Sequence, residues 1–351
     1  MLHVKKEGLV LNKTTQGFEN EGVLNPAVYK EGNKVHMFYR AVSTGNYSSI
    51  GYCRLDGPLT VEYRKDAPLL YPQFDYEAKG MEDPRISKIG DDFFLSYTAY
   101  DGINALGALA ISKDLEHFEK LGLIVPQIAY EEFSRLAEAK GKINLKYLRY
   151  NEHRHETETD GSKMYLWDKN VIFFPRRIRG MLVFLHRVRP DIQIVAVNEL
   201  TDLTIAFWQD YFLHLDDSIV LSSKYKHEVS YIGGGCPPVE TPEGWVVIYH
   251  AVHDTIKGYV YSACAALLEL EHPCREIARL PAPLFYPDET WELKGYVNNV
   301  CFPTGTALFG DTLYIYYGAA DEQIACASVS LNELVTELLM HKKEPDGNEC
   351  I

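Results

Sequence analysis

The sequence predicts an all-β chain folded as a five-bladed β-propeller. Three observations predict it: one hairpin pattern recurs five times, tyrosine dominates the aromatic residues, and helical spacing is confined to two stretches. The segments are NPAVYKEGNKVHMFYRAV from Asn25, EDPRISKIGDDFFLSYTAYD from Glu82, DKNVIFFPRRIRGMLVFLHRV from Asp168, PPVETPEGWVVIYHAVHD from Pro237 and NNVCFPTGTALFGDTLYIYYGAAD from Asn298. In each, a short apolar strand leads to a turn (EGN, GDD, RRIRG, TPEG or FGD) and an apolar-aromatic strand returns. A two-sheet sandwich also buries alternating strands, but five matched units favour the propeller.

The second strands end near Tyr39, Tyr97, Leu185, Tyr249 and Tyr317, at spacings of 58, 88, 64 and 68 residues. The long interval marks an insertion over about 124–166. Within it AYEEFSRLAEAKG has helical spacing with a glycine stop, and NEHRHETETDG reads as a polar loop. The insertion suits a lid or an oligomer contact. A second helix, LNELVTELLMHKK, follows the last repeat. Residues 1–351 are therefore expected to form one domain with an insertion between the second and third blades and a short C-terminal helix.

Tyrosine numbers 24 against 15 Phe and 4 Trp, which suits strands whose rings pack inward while their hydroxyls find a partner. Aromatic faces also stack on pyranose rings. A net charge of −14 argues against a nucleic-acid partner, since phosphate backbones demand a basic face. The 7 cysteines are scattered and contain no CxxC, so neither a disulfide framework nor a structural zinc site is expected. His153 and His155 sit in a polar loop without a carboxylate frame, and no metal or cofactor is predicted. No run reaches the roughly 18 apolar residues of a membrane span. The start, MLHVKKEGLV, has no apolar stretch of signal-peptide length, so the chain as written is expected in the cytoplasm. A signal removed upstream would make it periplasmic.

A propeller brings corresponding strand ends of all blades to one axial pocket. Those ends are polar here: Arg40 in the first repeat, Asp83 and Arg85 in the second, Lys169, His186 and Arg187 in the third, His250 in the fourth, Asp321 in the fifth. Singly, each is an ordinary structural charge, and Asp83 is a turn residue before Pro84 beside Arg85. Two carboxylates ringed by cations read together as an active site.

The ordered series GMEDPRISKI, DKNVIFFP with LHR, GGGCPPVE with GWVVIYH, and FPTG with YYGAAD resembles glycoside hydrolase family 130, from about Asn25 to Asp321. That family comprises mannoside phosphorylases and some mannoside hydrolases. The resemblance implies a five-bladed propeller acting on manno-oligosaccharides. It implies one catalytic acid, matched by Asp83, that passes its proton through a mannose hydroxyl to the glycosidic oxygen. Such an acid must stay protonated near neutral pH, through burial or neighbours such as Glu82. Arg40, Arg187, His250 and Tyr261 match positions around phosphate or the adjoining sugar, and Asp321 a carboxylate that holds mannose hydroxyls. Asn46 and Asp101 are weaker sugar-contact candidates.

Phosphorolysis and hydrolysis differ in what surrounds that acid. A phosphorylase needs cations for the phosphate co-substrate, whereas an inverting hydrolase needs a base roughly 6.5–9.5 Å from the acid. The phosphorylases usually carry a Lys directly before the Ile-Gly of the fourth motif; here KHEVSYIGGGCPP puts Tyr231 there and Glu228 three residues earlier. A phenol supplies no charge-assisted contact, and a carboxylate repels phosphate and activates water. The favoured expectation is therefore a β-1,2-mannosidase with Glu228 as base, with Glu240 a second base candidate. A phosphorylase giving mannose 1-phosphate is the alternative, and a non-catalytic glycan-binding propeller the third reading.

Overall fold

The computed structural model describes residues 2–139, 143–149 and 163–342. The polar stretch containing His153 and His155 lies outside them. The structure is mostly β with few helices, and its strands form five antiparallel groups of four or five. The first is β2 (Gly22–Glu31), β3 (Lys34–Ser43), β4 (Tyr47–Asp56) and β5 (Thr60–Arg64). The second is β6 (Gly80–Ile89), β7 (Asp92–Tyr100), β8 (Ala105–Ser112) and β9 (Phe118–Leu123). One parallel bridge, Ser48 with Gly80, joins these two. The third is β10 (Lys169–Phe173), β11 (Leu182–Arg187), β12 (Ile192–Val197) and β13 (Ile219–Leu221). In the fourth, β14 (Tyr231–Gly234) and β15 (Val239–Thr241) share the partner β16 (Gly244–Thr255), followed by β17 (Gly258–Leu268) and β18 (Glu276–Arg279). The fifth is β19 (Cys301–Phe309), β20 (Thr312–Ala319) and β21 (Gln323–Ser330), completed by the N-terminal strand β1 (Lys5–Leu11) on β21.

The first strands are contiguous: β2 packs on β6, β6 on β10, β10 on β14, and β19 returns to β2, while β16 and β17 meet β19. Each neighbouring pair of sheets encloses its own core. Phe38, Ile50, Met81 and Leu95 fill the gap between the first and second. Trp245 and Tyr249 meet Leu185 and Ile194 between the third and fourth. Tyr39 and Met37 meet Tyr316 and Cys326 between the fifth and first. Both faces of a strand are thus buried, which is why WVVIYHAV reads as one continuous apolar run rather than an alternating one. Removing Trp245, which is fully buried, is expected to cost about 3–5 kcal/mol.

The predicted helices form, with α1 at Tyr130–Glu138 and a C-terminal helix at Leu331–Met340. Two others, α2 (Ile205–Leu213) and α3 (Thr290–Leu293), were not anticipated, so the C-terminal helix is α4. In α2, Thr204 caps the Phe207 amide, and Trp208 and Phe212 pack on Phe133 of α1, so the insertion is buttressed by the third sheet.

Four of the five second-strand tyrosines or their equivalents end in a repeated clasp. Tyr39 donates to Glu19 (2.8 Å), Tyr97 to Glu77 (2.6 Å), Tyr249 to Glu228 (2.5 Å) and Tyr317 to Glu292 (2.5 Å). All four glutamates are fully buried. Each is ion-paired: with Arg64 (2.8 Å), Lys120 (2.7 Å), Arg279 (3.4 Å) and Lys6, respectively. Three also accept backbone amides: Glu77 from Gln73, Glu228 from Lys224 and Tyr225, Glu292 from Asp288 and Glu289. A buried carboxylate with this many donors is stable in place. The third sheet has Leu185 at the tyrosine position and no such clasp among the described residues.

Candidate active site

Each of the first three sheets breaks its first strand at the same place. The ladder skips between Leu24 and Ala27, between Glu82 and Arg85, and between Lys169 and Ile172. The residue inside each bulge has left-handed backbone: Asn25 (φ 49°), Asp83 (φ 48°) and Asn170 (φ 54°). Such strain costs roughly 1–3 kcal/mol per residue, and bulges re-aim side chains. Here the first two turn their side chains onto each other, Asn25 Nδ2 donating to Asp83 Oδ1 at 2.7 Å. In the fourth sheet the corresponding positions are glycines, because the neighbours leave no space. A Cβ on Gly233 would stand 2.5 Å from the His250 ring, and one on Gly235 2.5 Å from the Ile248 carbonyl. The fifth sheet contributes Asp321, also left-handed (φ 53°), just beyond β20.

Around Asp83 lies a compact charge cluster. Arg40 reaches Glu82 (2.7 Å) and Asp83 (3.7 Å) and fixes its own Nε on Ser48 (2.8 Å). Lys169 lies 3.7 Å from Glu82. The guanidinium of Arg85 turns from the Asp83 carboxylate to the carbonyls of Asp83, Pro84 and Gly235, so the simple Asp83–Arg85 turn pair is not what forms. Burial pushes the Asp83 carboxyl upward, but Arg40, Lys169 and Arg85, with the Asn25 bond, outweigh it and hold its pKa below the usual value. This corrects the expectation of an acid kept protonated by burial and by Glu82: in the free protein Asp83 is ionised. The raised carboxyl is Asp321, which burial, opposed by Arg40 and reinforced by Asp83 and Glu82, pushes up to about 6.

The other wall is cationic and aromatic. The Arg187 and Arg189 guanidiniums lie 5.3 and 4.1 Å from the centre of the Tyr231 ring, whose hydroxyl meets that of Tyr261 at 2.7 Å. Arg187 donates to His250 Nε2 at 3.2 Å, and the His250 ring packs against Phe302 with centroids 4.3 Å apart and planes tilted by 34°. Burial and the arginines hold His250 well below the ordinary imidazole pKa, so it is neutral with its proton on Nδ1. Burial and Arg189 bring Arg187 down to about 10. Among the described residues neither arginine forms an ion pair. Arg187 Nε, Arg189 Nε, His250 Nδ1 and both amide atoms of Asn170 are buried and unpartnered.

The structure thus brings together Arg40, Asp83, Arg85, Lys169 and Asp321 on one side and Arg187, Tyr231, His250 and Tyr261 on the other. It does not bring Glu228. That carboxylate belongs to the clasp of the fourth sheet, with Tyr249, Arg279 and two backbone amides on its oxygens, which leaves it no role as a base. Glu240 pairs with Arg176 (2.9 Å) at a partly exposed position. Asp101 closes an Asx turn on the amides of Ile103 (2.8 Å) and Asn104 (2.6 Å), and Asn46 sits exposed in the β3–β4 turn. His186 is bound to Asp168 (2.8 Å) and Tyr211 (2.7 Å) within the third sheet. Asn25, Asn170 and Arg189 were missed. Their signal was present as Asn-Pro beside Asp-Pro, Lys-Asn at the same repeat position, and a second arginine in HRVRP. No cluster that could hold a metal occurs among the described residues.

Known proteins resemble this chain over most of its length. A family model described as "beta-1,4-mannooligosaccharide phosphorylase" matches residues 9–339. The chain belongs to glycoside hydrolase family 130. It is 29% identical over 337 residues to a 1,2-beta-oligomannan phosphorylase of Thermoanaerobacter sp. strain X514, covering 93% of this chain and 96% of that one. It is 30% identical over 330 residues to a beta-1,2-mannobiose phosphorylase of the same organism, covering 89% and 91%. Among solved structures, a Listeria innocua beta-1,2-mannobiose phosphorylase in complex with beta-1,2-mannobiose shares the fold (TM-score 0.72, 22% identity, 97% and 100% covered). So does a structure titled for family members that are glycoside hydrolases targeting beta-1,2 mannosidic linkages in Candida mannan (TM-score 0.71, 20% identity, 93% of each chain).

Proposed function

We propose that this chain is a single-domain, five-bladed propeller enzyme that cleaves β-1,2-mannosides with inorganic phosphate, giving mannose 1-phosphate. One observation carries the choice of phosphate over water: among the described residues Arg187 and Arg189 stand together without an ion-paired carboxylate, while the predicted base Glu228 is locked in a clasp. Two adjacent cations with no counter-ion among the described residues call for an anion. Arg189 on the Tyr231 ring takes the place of the absent lysine. The curated relatives, which are named phosphorylases, favour the same reading.

In this reading Arg40, Asp321 and Asn25 orient the mannosyl ring, and Arg187, Arg189, Asn170 and His250 hold phosphate beneath its anomeric carbon. A phosphate oxygen attacks that carbon as the glycosidic bond breaks, with inversion. The leaving oxygen takes its proton from Asp83 through a mannose hydroxyl, and the proton of the new phosphate monoester restores Asp83. Asp83 begins ionised because cations surround it. Phosphate brings compensating negative charge into the same centre and moves Asp83 toward the protonated form the step requires.

The test is incubation with β-1,2-mannobiose with and without phosphate. Mannose 1-phosphate formed only with phosphate is expected; equal free mannose in both arms would overturn phosphorolysis. Tyr231, a neutral group at the lysine position, favours that second reading, hydrolysis. It then needs a base other than Glu228.

A further inference from the structure

Tyr296 is the most exposed aromatic side chain among the described residues, at 76%. It sits on segment 294–300, which joins α3 to β19, and that segment is held rigidly against the site. The Val297 amide donates to the Ala320 carbonyl (3.1 Å), the Ala320 amide to the Val300 carbonyl (3.1 Å), and the Tyr261 amide to the Asn299 carbonyl (3.0 Å). Gly295 packs so closely on Ala320 that a Cβ there would stand 2.5 Å from its carbonyl oxygen. The segment is therefore tied on one side to Asp321 through its neighbour and on the other to Tyr261. The Tyr296 hydroxyl lies within electrostatic reach of Arg40. No ring contact or hydrogen bond within the described residues accounts for its side chain.

A ring left in water on a fixed backbone beside a sugar site has the chemistry of a stacking platform. A pyranose presents an apolar C–H face to an aromatic plane and keeps its hydroxyls in solvent. The buried centre holds Asp83, Asp321 and the arginine pair, so it accommodates the reacting mannosyl unit and phosphate. The rest of the oligosaccharide must leave toward solvent. Resting on the phosphorylase reading above, we propose that Tyr296 is the platform for the leaving-side sugar. It would set the affinity for the oligosaccharide without taking part in bond cleavage.

The test compares wild type with Tyr296→Ala and Tyr296→Phe on β-1,2-mannobiose and β-1,2-mannotriose at saturating phosphate, following total product. Tyr296→Ala is expected to raise KM roughly 3- to 10-fold with kcat within about twofold, the scale of one aromatic stacking contact. Tyr296→Phe is expected to keep the wild-type KM, because the ring and not the hydroxyl makes the contact. An unchanged KM in the alanine variant, or a phenylalanine variant as impaired as alanine, overturns the platform. Wild-type enzyme inert on both sugars would instead defeat the functional reading on which the platform rests. At this exposure the thermal midpoint is expected to stay within about 1 °C for both variants, which separates the effect from misfolding.

Discussion

Two sets of carboxylates are buried in this molecule, and they are equipped in opposite ways. Glu19, Glu77, Glu228 and Glu292, at the ends of the sheets, each have a tyrosine hydroxyl and a cation, and three add backbone amides. Asp83 and Asp321, at the centre, share cations with Glu82, sit on left-handed backbone, and are surrounded by unpartnered donors. Burial alone does not separate structure from function. Satisfaction does: a complete shell leaves no capacity for a ligand, whereas an incomplete one destabilises the free protein and is completed by substrate.

The comparison breaks most visibly at Asp83. Asp83→Asn is expected to lower turnover at least about 10³-fold with at most a small fall in melting temperature, since Arg40 and Lys169 lose one of their two carboxylates; activity retained in that variant would exchange the two sets. Glu228→Ala should do the reverse, costing about 3 kcal/mol in chemical denaturation by leaving the buried Tyr249 hydroxyl and the Lys224 and Tyr225 amides without their acceptor, with kcat per folded molecule preserved. Selective loss of kcat in that variant would restore Glu228 as a base. Arg189→Ala should weaken phosphate roughly 10- to 100-fold, measured as KM for phosphate, with the KM for mannobiose within about twofold and partial recovery in Arg189→Lys.

The smallest effect is on pH. Asp321 titrates near 6 in the folded chain, above its ordinary value, so the native state binds more protons than the unfolded state between about 4 and 6. Stability therefore falls as pH rises through that window, and the full cost persists above it. Asp321→Asn should raise the melting temperature by a few degrees at pH 8 and by almost nothing at pH 4, measured by calorimetry. An equal gain at both values would mean that the charge is not the cause.

The hairpins were legible because each repeat carries its own turn: GDD and FGD fall where β6 meets β7 and β19 meets β20. The central residues were legible wherever position in the repeat decided them, as for Arg40, Asp83, Arg187 and Asp321. Glu228 misled because its partners are distant and chemically varied. Tyr249 lies 21 residues on and Arg279 51 residues on, while the clasp of the fifth sheet takes its cation from Lys6, 286 residues from Glu292. No local pattern reports such a shell. Ionisation was equally hidden, since the state of Asp83 depends on Arg40 and Lys169, which only the fold brings beside it. Arg189 lies beyond the end of β11, where strand alternation no longer says which way a side chain turns.

The fifth sheet has a consequence for synthesis. Its outer strand β1 (Lys5–Leu11) and the lysine of its clasp, Lys6, precede β19, β20 and β21 (Cys301–Ser330) by almost 300 residues. A chain still being made has nothing against which to dock its own beginning. Until β21 appears, the β1 residues wait unpaired and the core shared by the fifth and first sheets stays open. The contacts of greatest sequence separation therefore form last, and closure of this fold waits for the synthesis of β21.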